Sequence, residues 1–159
     1  MNNLLSFPNP VNEYAARTVA FMVLILSIMT LLFNSPLLSA ILLYGFLARV
    51  LTGPKLSPMG LLATKIIIPH FIKKEKLVAG PPKRFAQLIG LIFSIAIFVA
   101  IAIYQINILA STLLIILSVF AFLESVLGFC AGCFVFQYLM KFKLIPNSIC
   151  EECNDFQGT

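Results

Sequence analysis

Charge is scarce in this chain: 11 basic and 6 acidic residues make up only 11% of 159 residues. Soluble domains average about 25% charged and about 45–50% apolar, whereas this chain is 60% hydrophobic. One small core could not hide that much apolar surface, so the expected solvent is lipid. Histidine is reduced to His70 alone, with no HxxxH or HExxH partner. No Ser-His-Asp set, dinucleotide-binding glycine fingerprint or phosphate loop is present. Gly53-Pro54 and Gly80-Pro81-Pro82 lack the lysine and spacing such a loop needs. No secretory leader with a small-residue cleavage site is evident, and the first apolar run is expected to remain as an anchor.

Two long stretches carry no charge at all, Thr18 to Ala48 and Phe85 to Leu123. Asn34-Ser35-Pro36 interrupts the first and Gln105-Ile106-Asn107 the second. Asn and Pro between apolar runs mark turns. The pattern predicts helices over about 14–33, 37–51, 85–104 and 108–129 or beyond. Backbone groups in hydrocarbon must be paired within their own segment, which favours helices over isolated strands. The expected fold is an all-α integral membrane four-helix bundle, residues 1–145, with a polar tail over 146–159.

All 11 basic residues flank or fill three regions: the start of helix 1, the segment between helices 2 and 3, and the end of helix 4. The two short connections carry none. The net charge of +5 is therefore a topology signal, not a nucleic-acid signal. The positive-inside rule places both termini and the long loop in the cytoplasm. Within that loop, residues 59–72 mix Leu, Ile and Phe with Lys65 and His70. Such a segment is expected to lie on the anionic leaflet as an interfacial helix; a re-entrant element covering a site is the alternative.

The chemistry-bearing residues gather near the end of helix 4. Cys130 and Cys133 form a CxxC pair inside Gly128-Phe129-Cys130-Ala131-Gly132-Cys133, and Cys150 and Cys153 repeat the spacing in the tail. Residues 108–140 would span about 50 Å as one helix, longer than a bilayer core. Helix 4 must therefore project or break, with Gly128 and Gly132 as the candidate breaks. A break at Gly128 would set Cys130 at the start of a new helix, where the dipole lowers a thiol pKa. The four cysteines also fit the spacing of a four-thiolate zinc site. A cytoplasmic location disfavours permanent disulfides. Glu124 is the one acidic residue within a span, an arrangement that is expensive in lipid and marks either a function or a bundle-holding ion pair. Arg84, Arg17 and Arg49, all expected at the interface, are its candidate partners.

Three motifs carry a resemblance. Gly53-Pro54-Lys55-x-Ser57-Pro58, then Gly80-Pro81-Pro82-Lys83-Arg84-Phe85-Ala86-Gln87-x-x-Gly90, then Gly128-Phe129-Cys130-Ala131-Gly132-Cys133 resemble the bacterial membrane family known as domain of unknown function 4395. The resemblance runs from helix 1 to Met140 and implies a four-helix bacterial inner-membrane protein whose pattern includes Cys130 and Cys133. Arg84 and Gln87 of the second motif, with His70, are supporting candidates. The resemblance further implies rhodanese-like or thioredoxin-like cytosolic partners, and hence sulfur or redox traffic. Four functions follow as alternatives. The first is handling of sulfur species on Cys130 and Cys133 with relay to Cys150 and Cys153. The others are a soft-metal carrier for Hg, Cu or Zn, a membrane thiol–disulfide oxidoreductase, and a non-catalytic subunit. No cofactor is required by the sequence, zinc being the one it accommodates, and a homo-oligomer is consistent with so small a bundle.

Overall fold

A computed structural model describes residues 11–53, 56–72, 76–78 and 80–142. The tail pair Cys150 and Cys153 lies outside the described residues. Helix α1 (Glu13–Phe33) opens at Asn12, whose side chain accepts from the Tyr14 N–H at 3.0 Å. It closes at Asn34, which turns left-handed with φ 46° and donates its N–H to Thr30 O. Asn tolerates that conformation better than most residues. Two residues later Pro36 starts helix α2 (Pro36–Thr52), with its fixed φ and missing N–H at the position where neither costs anything. Gln105, left-handed at φ 52°, makes the corresponding turn between helix α4 (Gly80–Val99, with its extension to Tyr104) and helix α5 (Asn107–Phe122). The two uncharged connections meet, since Asn34 Nδ2 donates to Asn107 Oδ1 at 2.7 Å.

Helix α4 (Gly80–Val99) starts five residues before Phe85, because Pro81 and Pro82 fit a first turn that needs no backbone donors. It runs on in wider π-type turns through Ala100–Tyr104, and α5 does the same through Leu123–Leu127. With those extensions, three helices (Glu13–Phe33, Gly80–Tyr104 and Asn107–Leu127) are long and apolar enough to cross a membrane. Helix α2 is apolar and shorter, at 17 residues.

The outward faces carry large apolar side chains such as Leu32, Ile92, Ile108 and Ile115. Hydrophobic residues on every side of a helix suit a lipid solvent. The inward faces hold Val23, Leu42, Ile97 and Leu114 beside Ser27, Thr30, Ser39 and Ser94, all essentially inaccessible. The buried hydroxyls bond carbonyls three or four residues back, and Ser27 Oγ meets Ser118 Oγ at 2.8 Å across α1 and α5. Small and hydroxyl side chains let helices approach closely where lipid supplies no hydrophobic drive. At Gly90 the approach is extreme: a Cβ there would collide with the Phe46 ring of α2.

Helix α3 (Pro58–Leu61), capped by Ser57, continues as a π-type stretch, Leu62–Ile72, lying against α1 with Ala63 and Ile68 buried. Beyond it the all-helical pattern has one small exception. β1 (Val11–Asn12) pairs antiparallel with β2 (Leu77–Val78), and the Lys76 ammonium sits 2.9 Å from Glu13. Two residues per strand carry no periodicity, so such a pairing leaves no mark in a sequence.

Candidate thiol site

The α5 extension stops at Leu127, because Gly128 adopts φ 69° and caps it by donating to Leu123 O. Arg17 of α1 holds this end in place, donating from Nε to Ser125 O (3.2 Å) and from Nη2 to Val126 O (2.7 Å). A cation on the terminal carbonyls of a helix satisfies acceptors left without intrahelical partners. Two residues after the break, Cys130 is the N-cap of helix α6 (Ala131–Lys141), in extended conformation with φ −97°. Gly132, the other candidate break, lies inside α6.

The N-cap geometry shapes the thiol. Cys130 Sγ accepts the Cys133 N–H at 3.3 Å, as a serine oxygen does in an ordinary cap. Both sulfurs are free thiols, Cys130 buried and Cys133 half-buried. A hydrogen bond from the Cys133 thiol pulls the Cys130 pKa below the usual thiol range, with help from Lys83 and the Cys133 backbone and against burial and Glu124. The same bond, with burial behind it, pushes Cys133 up. The pair is thus unequal: one sulfur is set up as the thiolate, the other as its proton-bearing neighbour. Iodoacetamide should therefore label Cys130 at lower pH than an ordinary thiol, with Cys133 lagging, as peptide mass mapping across a pH series would read. Equal labelling of both sulfurs on an ordinary thiol profile would contradict this assignment.

Helix α6 is pinned against the start of α4. Gly132 faces Ala86 so closely that a Cβ on it would stand 2.5 Å from Ala86 Cα and Cβ, and the Phe85 and Phe136 rings pack at 5.6 Å. That contact brings both thiols near enough to Lys83 to feel its charge, and sets Cys130 on one cavity wall with Gln87. Lys83 Nζ reaches across to Glu124 Oε1 at 2.8 Å, with only 6% of Lys83 exposed. The hydrogen-bonded ion-pair partner of Glu124 is therefore Lys83, while Arg49 of the three arginines offered by the sequence feels Glu124 at longer range. Lys83 is one residue from Arg84, but one helical position rotates a side chain about 100°, to a different face. Arg84 is on the exposed side of α4.

These residues surround a cavity of about 230 Å³ inside the bundle. Cys130, Glu124, Lys83, Gln87 and Arg49 supply its polar wall; Val19, Val23, Phe93 and Leu117 are among its apolar lining. Arg49, in the last turn of α2, is 3% exposed, with Nε donating to Gly45 O at 2.8 Å and its guanidinium 4.4 Å from the Phe46 ring centroid. Its Nη2, and Gln87 Oε1, are buried without a hydrogen-bond partner among the described residues. His70 stays outside this group, on the exposed side of the π-type stretch, with Nδ1 near Ile66 O at 3.1 Å. Among the described residues no three His, Cys, Asp or Glu side chains converge as a metal site. A four-thiolate zinc site would need Cys150 and Cys153, which lie outside them.

A family model described as Domain of unknown function (DUF4395) matches residues 11–141. No curated protein and no solved structure matches the chain.

Proposed function

Because the chain belongs to the DUF4395 family of domains of unknown function, we propose from the chemistry of its own residues that it is a membrane thiol protein that accepts sulfane sulfur on Cys130. The observation that carries this reading is the N-cap position of Cys130, a buried thiol with a lowered pKa on the wall of a partly open cavity in the bundle. The Cys130 thiolate attacks the sulfane sulfur of a donor. The donor's S–S bond breaks, its leaving group departs with the electron pair, and the sulfur stays on Cys130 as a persulfide. An acceptor thiolate then attacks the outer sulfur, and the Cys130 thiolate leaves. Cys133 is the resident proton donor beside the thiolate, and Cys150 and Cys153 are the proposed cytoplasmic acceptors. The placement of every basic residue off the two short connections supports a four-span topology in the bacterial inner membrane, with both termini cytoplasmic. On that orientation the site faces the reducing compartment, where rhodanese-like or thioredoxin-like proteins are suitable partners.

The test is intact-protein mass spectrometry after incubation with elemental sulfur or thiosulfate, followed by alkylation. The wild-type chain should gain mass in steps of about 32 Da, one sulfur each, mapped to Cys130. Cys130→Ser should gain none, and Cys133→Ser should still load. Loading on neither cysteine from either donor would overturn the reading. A metal ion retained under native conditions and lost with Cys130→Ser would favour the soft-metal reading instead, which the two thiols sharing one helical turn also support.

A further inference from the structure

We infer that the bundle cavity is an anion site built on Arg49, and that the sulfur donor it takes is a small sulfur oxyanion. The inference rests on the sulfur-transfer reading for the donor's reactive end, but the anion site itself stands on separate observations. Arg49 is 3% exposed and lines the cavity, and its Nη2 has no hydrogen-bond partner among the described residues. A buried guanidinium donor without an acceptor is costly, by far more than a neutral group. Arginine is also the side chain whose planar fork best matches oxyanions.

The charge balance of the wall points the same way. Arg49 and Lys83 are cations and Glu124 is the one carboxylate among the lining residues, so the wall carries one net positive charge while Cys130 holds its proton and is balanced once Cys130 is the attacking thiolate. Glu124 is engaged by Lys83 at 2.8 Å, which leaves Arg49 with the longer-range attraction of Glu124 but no hydrogen-bonded anion. An incoming anion would correct both deficits together. Gln87 adds a second unpartnered polar group, and its amide offers either its oxygen or, reversed, its NH₂ to a ligand.

Cys130 lines the same cavity, so an anion held there by Arg49 is confined to one chamber with the nucleophile. Holding a reactant in one orientation is itself a large part of catalysis. Thiosulfate is the simplest molecule with both ends: an oxyanion head and a transferable sulfur. In its reaction the Cys130 thiolate bonds to the outer sulfur, the S–S bond breaks, and sulfite leaves with the electron pair. Arg49 is a substrate-binding residue in this scheme, and elemental sulfur, an uncharged donor, does not need it.

Thermal unfolding of the detergent-solubilised full chain carrying Cys130→Ser, where no transfer can occur, reads anion binding alone. Millimolar thiosulfate should raise the unfolding midpoint of this variant, and sulfate, which has the same head and no transferable sulfur, should do so too. Adding Arg49→Gln should weaken thiosulfate binding roughly 10- to 100-fold, the range for one charged hydrogen bond. Arg49→Lys, which keeps the charge and loses the fork, serves if Arg49→Gln fails to fold, and should bind with intermediate strength. In the Cys130 background, Arg49→Gln should lower the ratio of thiosulfate loading to elemental-sulfur loading by a similar factor. No midpoint shift, with equal thiosulfate loading in wild type and Arg49→Gln, would overturn the anion site and leave sulfur transfer standing. A shift that depends on Arg49, with no loading from any donor, would keep the anion site and overturn sulfur transfer.

Discussion

Lys83→Met should destabilise the bundle by about 3 kcal/mol, the lower end of the range for removing one partner of a buried ion pair. The lower end applies because the Glu124 side chain keeps 24% of its exposure, so some water still reaches it. The loss does not come mainly from the missing attraction. It comes from leaving a carboxylate without its hydrogen-bonded cation in a largely apolar cavity, where Arg49 acts on it only at longer range. The double variant Lys83→Met, Glu124→Gln should recover most of the stability, because it removes the stranded charge along with its partner. Unfolding midpoints of the single and double variants in one detergent provide the comparison. A double variant no more stable than Lys83→Met would show that the pair does not couple α4 to α5. Lys83 also helps hold the Cys130 pKa down, so alkylation of Cys130 in Lys83→Met should move to higher pH.

Gly132→Val should displace α6 from α4 and with it the thiol site. An added Cβ meets the Ala86 backbone as well as its methyl, so no rotamer change can relieve the contact. Overpacking a close contact of this kind costs typically about 1–3 kcal/mol. The functional loss should be larger than the stability loss, since the position of Cys130 depends on the seating of the helix it caps. Persulfide loading should fall to background while the four long helices remain folded by circular dichroism. Ala86→Gly in the same chain should restore loading only in part, because the Ala86 Cα stands as close as its Cβ. Undiminished loading in Gly132→Val would mean that α6 does not need its seat on α4 to present the thiol.

Local chemistry carried much of this architecture. Charge-free runs long enough to cross a bilayer depend on nothing but composition, and Asn34 and Gln105 sit in left-handed turns where a short polar break stands between apolar runs. The cysteine pair and Glu124 stand out in the sequence because polar groups are rare in such apolar segments. The break at Gly128 was one of two candidates until packing chose it: Gly132 is needed as a flat surface against Ala86, and Gly128 as a left-handed turn.

Sequence by itself determined the helical class, the apolar faces and the presence of a spaced thiol pair, because each follows from local composition and periodicity. Only the tertiary structure decided which groups meet. Glu124 lies 41 residues from Lys83, and the choice of Lys83 over Arg84 depends on the rotation of α4 about its own axis. Arg49 could be placed in the cavity wall only once α2 had packed on α4 through Gly90 and Phe46. Long-range side-chain placement depends on helix rotation and packing depth, neither of which leaves a periodic trace in a chain where nearly every position is apolar.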